Sequence, residues 1–78
     1  MNIQDFKEIY KDEPAVKKVR LMLDAMNMVT SASVSKAQCH DPESHAHYRR
    51  EIEGQMQRVE WLYSEIVAEL EGKPCEAV

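Results

Sequence analysis

Residues 41–70 read DPESHAHYRREIEGQMQRVEWLYSEIVAEL, and this segment is the strongest indication of the fold class. Asp41 and the proline after it are typical of a helix start, and Gly72, which precedes a Lys-Pro pair, is a normal stop. Between them, apolar side chains recur at alternating steps of three and four, which places them on one helix face. They are Tyr48, Ile52, Met56, Val59, Tyr63, Ile66 and Leu70. The pattern predicts a long helix C over about residues 42–72.

A second helix precedes the short polar segment at residues 37–40. Pro14 suits a first helical turn, so helix B is predicted over about residues 14–36. Its apolar face has the same spacing and consists of Val16, Val19, Leu23, Met26, Thr30 and Val34. Two such stripes joined by a short loop are typical of an antiparallel, coiled-coil-like helical hairpin. Charge supports this pairing, because residues 14–40 carry a balance of +3 and residues 59–78 a balance of -4.

A short N-terminal helix A is predicted over about residues 3–12, where Asn2 can cap an apolar stripe that includes Phe6. Residues 1–78 are therefore expected to form a single all-α domain with a flexible tail at 73–78. A chain of this length buries only a small core. We therefore expect the hairpin to assemble further into a helical bundle, as a homodimer or a higher homo-oligomer.

Composition and charge exclude several classes of protein. No apolar run approaches the roughly 20 residues of a membrane span, and the first residues lack a signal-peptide pattern, so a cytoplasmic location without membrane contact is expected. A net charge of -4 argues against binding to nucleic acid. Cys39 and Cys75 lie at opposite ends of the predicted hairpin, so both are expected to be reduced thiols without an intramolecular disulfide.

The predicted long helices carry apolar residues on a second face as well. These residues lie about 180° from the helix B stripe, or on the side of helix C away from its own stripe. They are Leu21, Ala25, Met28, Ala32, Gly54, Trp61 and Ala68. One hypothesis is that they form an interface with a partner protein or a second copy of the chain. The alternative is that helix A folds back and covers one of these patches, for example Trp61 with Phe6.

The predicted loop contains four potential metal ligands within nine residues: Cys39, His40, His45 and His47. Their spacing does not match a structural zinc site, since there is no Cys-x-x-Cys pair. His45 and His47 would point about 160° apart on a helix. We therefore expect a polar loop without a bound metal or other cofactor, and folding that needs no metal. A zinc site is the alternative.

Basic side chains cluster near the starts of both long helices, where a helix favours anions. They are Lys17, Lys18, Arg20, Arg49 and Arg50. These residues predict either a site for a nucleotide or another small anion, or solvated faces that pair with the acidic end of helix C. No nucleophile elbow, phosphate loop or zinc-protease motif occurs in the sequence, so the chain is not expected to be an enzyme.

The apolar helix faces favour a non-enzymatic module for protein–protein interaction, such as a small adaptor, chaperone or inhibitor. In architecture alone, the predicted hairpin resembles the small hairpin chaperones of bacterial type III secretion and, equally, the small helical inhibitors that phages encode. No motif is specific to either group. The alternative function is an oligomeric protein that binds a small anion or a nucleotide through the basic residues above.

Overall fold

In a computed structural model, residues 2–72 form three helices and no strand. Helix α1 spans Ile3–Tyr10, α2 spans Ala15–Gln38 and α3 spans Pro42–Leu70. The two long helices pack against each other along their length, and the molecule measures 47 × 20 × 19 Å. The prediction of an all-α helical hairpin with a short N-terminal helix is therefore confirmed. The predicted flexible tail at 73–78 lies outside the described residues.

Local signals in the sequence set the ends of the helices. The Asn2 side chain accepts a hydrogen bond from the backbone N–H of Asp5 at 2.9 Å, and Asp41 accepts one from Ser44 at 3.0 Å. Each bond satisfies one of the free N–H groups in a first helical turn. After α3, Gly72 adopts a left-handed φ of 71°, a conformation that favours glycine.

The helix starts agree with the expected positions within one residue, and all three ends differ by two residues. Helix α1 stops at Tyr10 rather than at residue 12, and α2 continues to Gln38 rather than ending at residue 36. Helix α3 ends at Leu70, two residues before the expected limit. Pro14 stands just before α2 in an extended conformation, with φ -69° and ψ 161°, and therefore separates α2 from α1.

The face of α2 that packs on α3 is not the predicted one. The buried residues of α2 are Lys18, Ala25 and Ala32, at steps of seven, and their exposed fractions are 3–6%. The residues of the predicted helix B stripe are instead exposed: Val16, Val19, Leu23, Met26, Thr30 and Val34. The expectation that this stripe forms the seam is wrong, because α2 buries the side that carries Lys18 and two small alanine side chains, which take little room between packed helices.

On α3, the predicted stripe lies beside the buried positions. The buried residues are Gln55, Leu62, Glu65 and Ile66. Leu62 is fully enclosed, whereas Met56, Tyr63 and Leu70 are exposed, although all three were predicted to lie in the seam. The buried face of α3 is therefore rotated about the helix axis relative to the predicted stripe, and Ile66 belongs to both.

A buried ion pair joins the inner face of α2 to α3. The Lys18 Nζ atom donates to Glu65 Oε1 and to the backbone carbonyl of Lys11, each at 3.0 Å. It also lies 5.7 Å from the centre of the Trp61 ring. One ammonium group thus connects α2, α3 and the segment after α1. The pair joins the basic start of α2 to the acidic end of α3, as the charge pattern predicts.

Helix α1 packs against the side of α3 that carries Trp61. Phe6 is buried and meets the Trp61 ring edge-to-face at 5.9 Å between centroids. The Arg58 guanidinium lies 4.7 Å from the centre of the Phe6 ring, a distance suited to a cation–π contact. Of the two hypotheses for Trp61, the one in which the N-terminal helix covers it agrees with the structure.

Candidate interaction surface

The hairpin carries exposed apolar side chains on the side away from α1. We call this surface the open face. Its residues are Val19, Leu23, Met26, Met56, Tyr63 and Leu70. Their exposed fractions range from 37% to 77%, so each leaves a substantial apolar area in contact with water. Between the two rows, Met22, Val29, Ile52 and Val59 are half-buried and form the floor.

Helix geometry places both rows on one side of the hairpin. A step of one residue beyond a buried position turns the side chain by about 100° around the helix axis. Because α2 and α3 face each other and run antiparallel, the residues that follow a buried position point to the same side of the hairpin on both helices. Met26 follows buried Ala25 and Tyr63 follows buried Leu62, so the two side chains share that side.

The N-terminal helix does not cover the open face. It lies over the opposite side of α3, where Ile3 and Lys7 line a shallow cavity together with Gln57 and Trp61. Tyr63 comes two residues after Trp61, a step of about 200° around α3. The covered and the open sides of α3 are therefore nearly opposite.

The open face resembles a protein interface in composition. None of the six exposed residues of the predicted helix B stripe is charged, and α3 adds Met56 and Tyr63. Interface centres are depleted of charge and enriched in aromatic residues and methionine. Methionine side chains also adapt to differently shaped partners. The arrangement can therefore bury apolar surface against another helical protein.

The structure disperses the predicted interface residues. Ala25 and Ala32 are buried inside the hairpin, so their predicted place on the outer face of α2 is wrong. Leu21 is half-buried and Met28 is 46% exposed, on the edge of α2 nearer the α1 side. The helical pattern alone could not show which of the two apolar faces of α2 packs on α3, because both have the spacing of a packed stripe.

The predicted interface on α3 is also changed. Trp61 is half-buried against Phe6, and Ala68 is half-buried as well. Gly54 is exposed, and a Cβ atom added there would meet nothing within 4 Å. The expectation that Gly54 permits the close approach of another backbone is therefore not met by any described part of this chain.

The basic residues predicted to bind an anion do not converge. Lys18 is buried in its ion pair with Glu65 and is not available to a ligand. Lys17 and Arg20 are exposed on α2, and Arg50 lines a cavity beside α1. Only Arg49 belongs to the cavity at the loop end of the hairpin.

The loop-end cavity nevertheless gathers basic side chains from both long helices. Its ionisable lining comprises Lys36, His40, Asp41, His45 and Arg49. Lys36 was not among the residues predicted for an anion site, although its position near the end of helix B was a usable signal. Hydrogen bonds from Ser44 lower the pKa of Asp41 below its ordinary value of 3.8, and the nearby His45 adds to this effect.

The loop contains a local polar contact rather than a gathered metal site. A ring nitrogen of His45, Nε2, lies 2.8 Å from the backbone carbonyl oxygen of Cys39 and ties the loop to the first turn of α3. Cys39 is a free cysteine, and Cys75 lies outside the described residues. Within residues 2–72, no three His, Cys, Asp or Glu side chains lie close enough together to hold a metal ion.

No helix between residues 2 and 72 is both long and apolar enough to cross a membrane. Comparisons of the chain with models of protein families, with curated proteins and with solved structures found no match. Function is therefore inferred from the geometry of the described residues.

Proposed function

We propose that this protein is a module for protein–protein interaction that works through the open face, as a small adaptor, chaperone or inhibitor. One observation carries the proposal: six large apolar side chains from two helices lie exposed on one side of the hairpin. Single exposed apolar residues are common on proteins, whereas a continuous patch is typical of an interaction site.

The position of the patch supports this proposal. Among residues 2–72, α1 is the helix outside the hairpin, and it packs on the opposite side of α3. The α2 half of the open face has no charged side chain that would disfavour burial against a partner. The rows also have the three-and-four spacing that lets side chains of a partner helix interdigitate.

Photo-crosslinking tests the proposal. A benzophenone amino acid is placed at Met26, on the open face, and, as a matched control, at Asn27, the next position, which is also exposed. One residue step turns the probe by about 100° and away from the apolar rows. We expect crosslinks to protein, either another protein or another copy of the chain, from position 26 and few from position 27. Equal yields at both positions, or none at position 26, would contradict the proposal.

A second candidate function is the binding of a small anion at the loop end, which the lining of that cavity favours. Lys36, His40, His45 and Arg49 border it, beside the Asp41 carboxylate that caps the N-terminus of α3. Titration with inorganic phosphate, followed by amide NMR shifts of residues 36–49, is the measurement. Arg49→Gln should weaken the binding, and Arg50→Gln, whose side chain lines another cavity, should not. No shift with phosphate, or the same loss in both variants, would contradict this candidate.

A further inference from the structure

We infer that the partner of the open face is a second copy of this chain, related by a two-fold axis that runs along the hairpin. Both loops then lie at the same end of a four-helix bundle, and each α2 packs on the α3 of the other copy. Such a contact is symmetric and closed, as in most soluble homo-oligomers. This inference rests on the proposed function and names its partner.

The net charges of the two long helices are opposite. Helix α2 carries four basic side chains and one acidic side chain, which give a net charge of +3 with neutral histidines. Helix α3 carries three arginines and six glutamates, which give a net charge of -3. A two-fold axis along the hairpin places each helix beside the oppositely charged helix of the copy, and this contact is attractive.

The alternative symmetric contact has the loops at opposite ends of the bundle. Helix α2 would then pack on the α2 of the copy, and α3 on the α3 of the copy. Each contact would bring together two helices with a net charge of the same sign, which is unfavourable. The charge of the helices therefore selects the arrangement with both loops at the same end.

Contacts within the chain show which residues of the two helices lie at the same level along the hairpin. Lys18 pairs with Glu65, and Ser35 lines a cavity together with Tyr48. In both cases the two residue numbers add up to 83, so each step forward on α2 matches one step back on α3. A two-fold axis along the hairpin preserves these levels, so they also hold between the two copies.

Apolar side chains of the two open faces meet at matching levels in this arrangement. Met26 lies within one residue of the level of Met56, and Val19 lies within one residue of the level of Tyr63. All four side chains are at least 37% exposed in the single chain. The α2 row of one copy therefore covers the α3 row of the other, and each row removes the other from water.

Polar residues match where the two rows approach the loop. Arg49 precedes Met56 by seven residues, and Ser33 follows Met26 by seven residues, so both continue the apolar rows. They are level within one residue, and the Arg49 guanidinium of one copy can donate to the Ser33 hydroxyl of the other. Arg49 also approaches the C-terminal end of that α2, where the helix dipole favours a cation. Lys36 is one like-charged neighbour there, and the Asp41 carboxylate lies beside it in the loop-end cavity.

The first experiment measures the mass of the full-length chain by light scattering after size exclusion, from micromolar to submillimolar concentration. The expected mass is twice the 9.0 kDa of one chain. A mass of one chain at every concentration would overturn the inference, and so would a mass of three chains or more.

The second experiment locates the contact with a matched pair of variants. Met26→Glu should raise the dissociation constant of the dimer by ~100-fold or more, because each copy then encloses a carboxylate beside Met56 of the other. Met28 is also 46% exposed, but it lies about 200° around α2 from Met26. Met28→Glu should leave the dissociation constant within about threefold of the wild type. A dimer that survives Met26→Glu, or one that both changes disrupt equally, would overturn the inference.

Circular dichroism of each variant shows whether the hairpin remains helical. Met26 is 46% exposed in the single chain, so its substitution should leave the helix content unchanged. Should Met26→Glu lose helix, Tyr63→Glu, whose side chain is 62% exposed on the α3 row, replaces it in the same comparison. A dimer that a helical Tyr63→Glu variant retains would overturn the inference.

The third experiment tests the arrangement of the two copies. In a background with both native cysteines changed to serine, Met26→Cys chains are mixed with Met56→Cys chains, and oxidised glutathione is added. A disulfide between positions 26 and 56 should form in preference to disulfides between like positions. The two α2 helices lie on a diagonal of the bundle, beyond the ~7 Å between Cα atoms that a disulfide allows. Disulfides between like positions without the mixed product would overturn the arrangement with both loops at the same end.

The results also separate this inference from the proposed function. If position 26 crosslinks to other proteins while the chain keeps the mass of a single copy, the proposed function stands and the second copy is ruled out. If position 26 crosslinks to nothing and the chain is a single copy, both fail.

Discussion

Replacing Lys18 by methionine should strongly destabilise the fold. The side chain is 3% exposed, and its Nζ atom donates to Glu65 Oε1 and to the Lys11 carbonyl at 3.0 Å. Methionine has nearly the same length but no charge and no donor. The Glu65 carboxylate, itself 9% exposed, would then be enclosed without the hydrogen bond and the positive charge that it has now.

The expected magnitude follows from this burial. Removing one member of a buried ion pair typically costs about 3–5 kcal/mol, because the remaining charge is left without compensation. A domain of this size is held together by a core that supplies only roughly 3–5 kcal/mol. The Lys18→Met variant should therefore be largely unfolded, or should unfold at a much lower urea concentration than the wild type.

Urea denaturation followed by circular dichroism at 222 nm measures the effect, at one fixed protein concentration so that any association contributes equally. Lys17→Met is the matched control, because Lys17 is exposed on the next position of α2 and its replacement should change the unfolding free energy by less than about 0.5 kcal/mol. The double variant with Glu65→Leu should regain most of the loss, since an apolar pair leaves no enclosed charge. A loss below about 1 kcal/mol in Lys18→Met would show that Glu65 does not depend on this pair.

The remaining predictions concern α1, the cap of α3 and a surface glycine. Phe6→Ala should lower the unfolding free energy by about 3 kcal/mol. The double variant with Trp61→Ala should lose less than the sum of the two single losses, because the two rings contact each other. Strictly additive losses in urea melts would contradict this contact. Asp41→Ala should lower the melting temperature by a few degrees at neutral pH through loss of the bond from Ser44. The pKa of Asp41 is lowered in the folded state, so the stability that its carboxylate contributes is complete above the ordinary value of 3.8 and is lost as the pH falls through the lowered pKa. The melting temperatures of the wild type and of Asp41→Ala should therefore converge in acid. A difference that stays constant with pH would count against the cap. Gly54→Ala should raise the unfolding free energy by about 0.5–1 kcal/mol, since the position is helical and a methyl group there meets nothing within 4 Å. A loss of stability or of association would instead mean that a neighbouring backbone packs there.

Much of the local structure could be predicted from short-range signals. Asn2 and Asp41 act as caps because each can accept a hydrogen bond from an N–H three residues later, a contact that needs no tertiary partner. Pro14 interrupts the helix for an equally local reason, since its ring restricts the residue before it. These effects depend on neighbours in the sequence, and the helix starts follow from them.

The orientation of α2 could not be predicted in the same way. Burying a large apolar side chain, such as that of Leu23 or Met26, releases more free energy than burying the small side chain of Ala25 or Ala32. Apolar area alone therefore favours the wrong face. The structure buries the alanines together with Lys18, whose ion pair with Glu65 lies on the same side of α2. The sequence pattern places the residues of the open face in the seam and therefore does not predict this surface.

Caps, apolar spacing and charge are enough to predict three helices, their starts, and an antiparallel pair with the basic start of α2 beside the acidic end of α3. The buried face of each helix, in contrast, is defined only once the helices pack. Lys18 and Glu65 are 47 residues apart in the chain, and the rotation of α2 against α3 that brings them to 3.0 Å depends on contacts of this long range. That rotation encloses the alanines and leaves the open face to solvent.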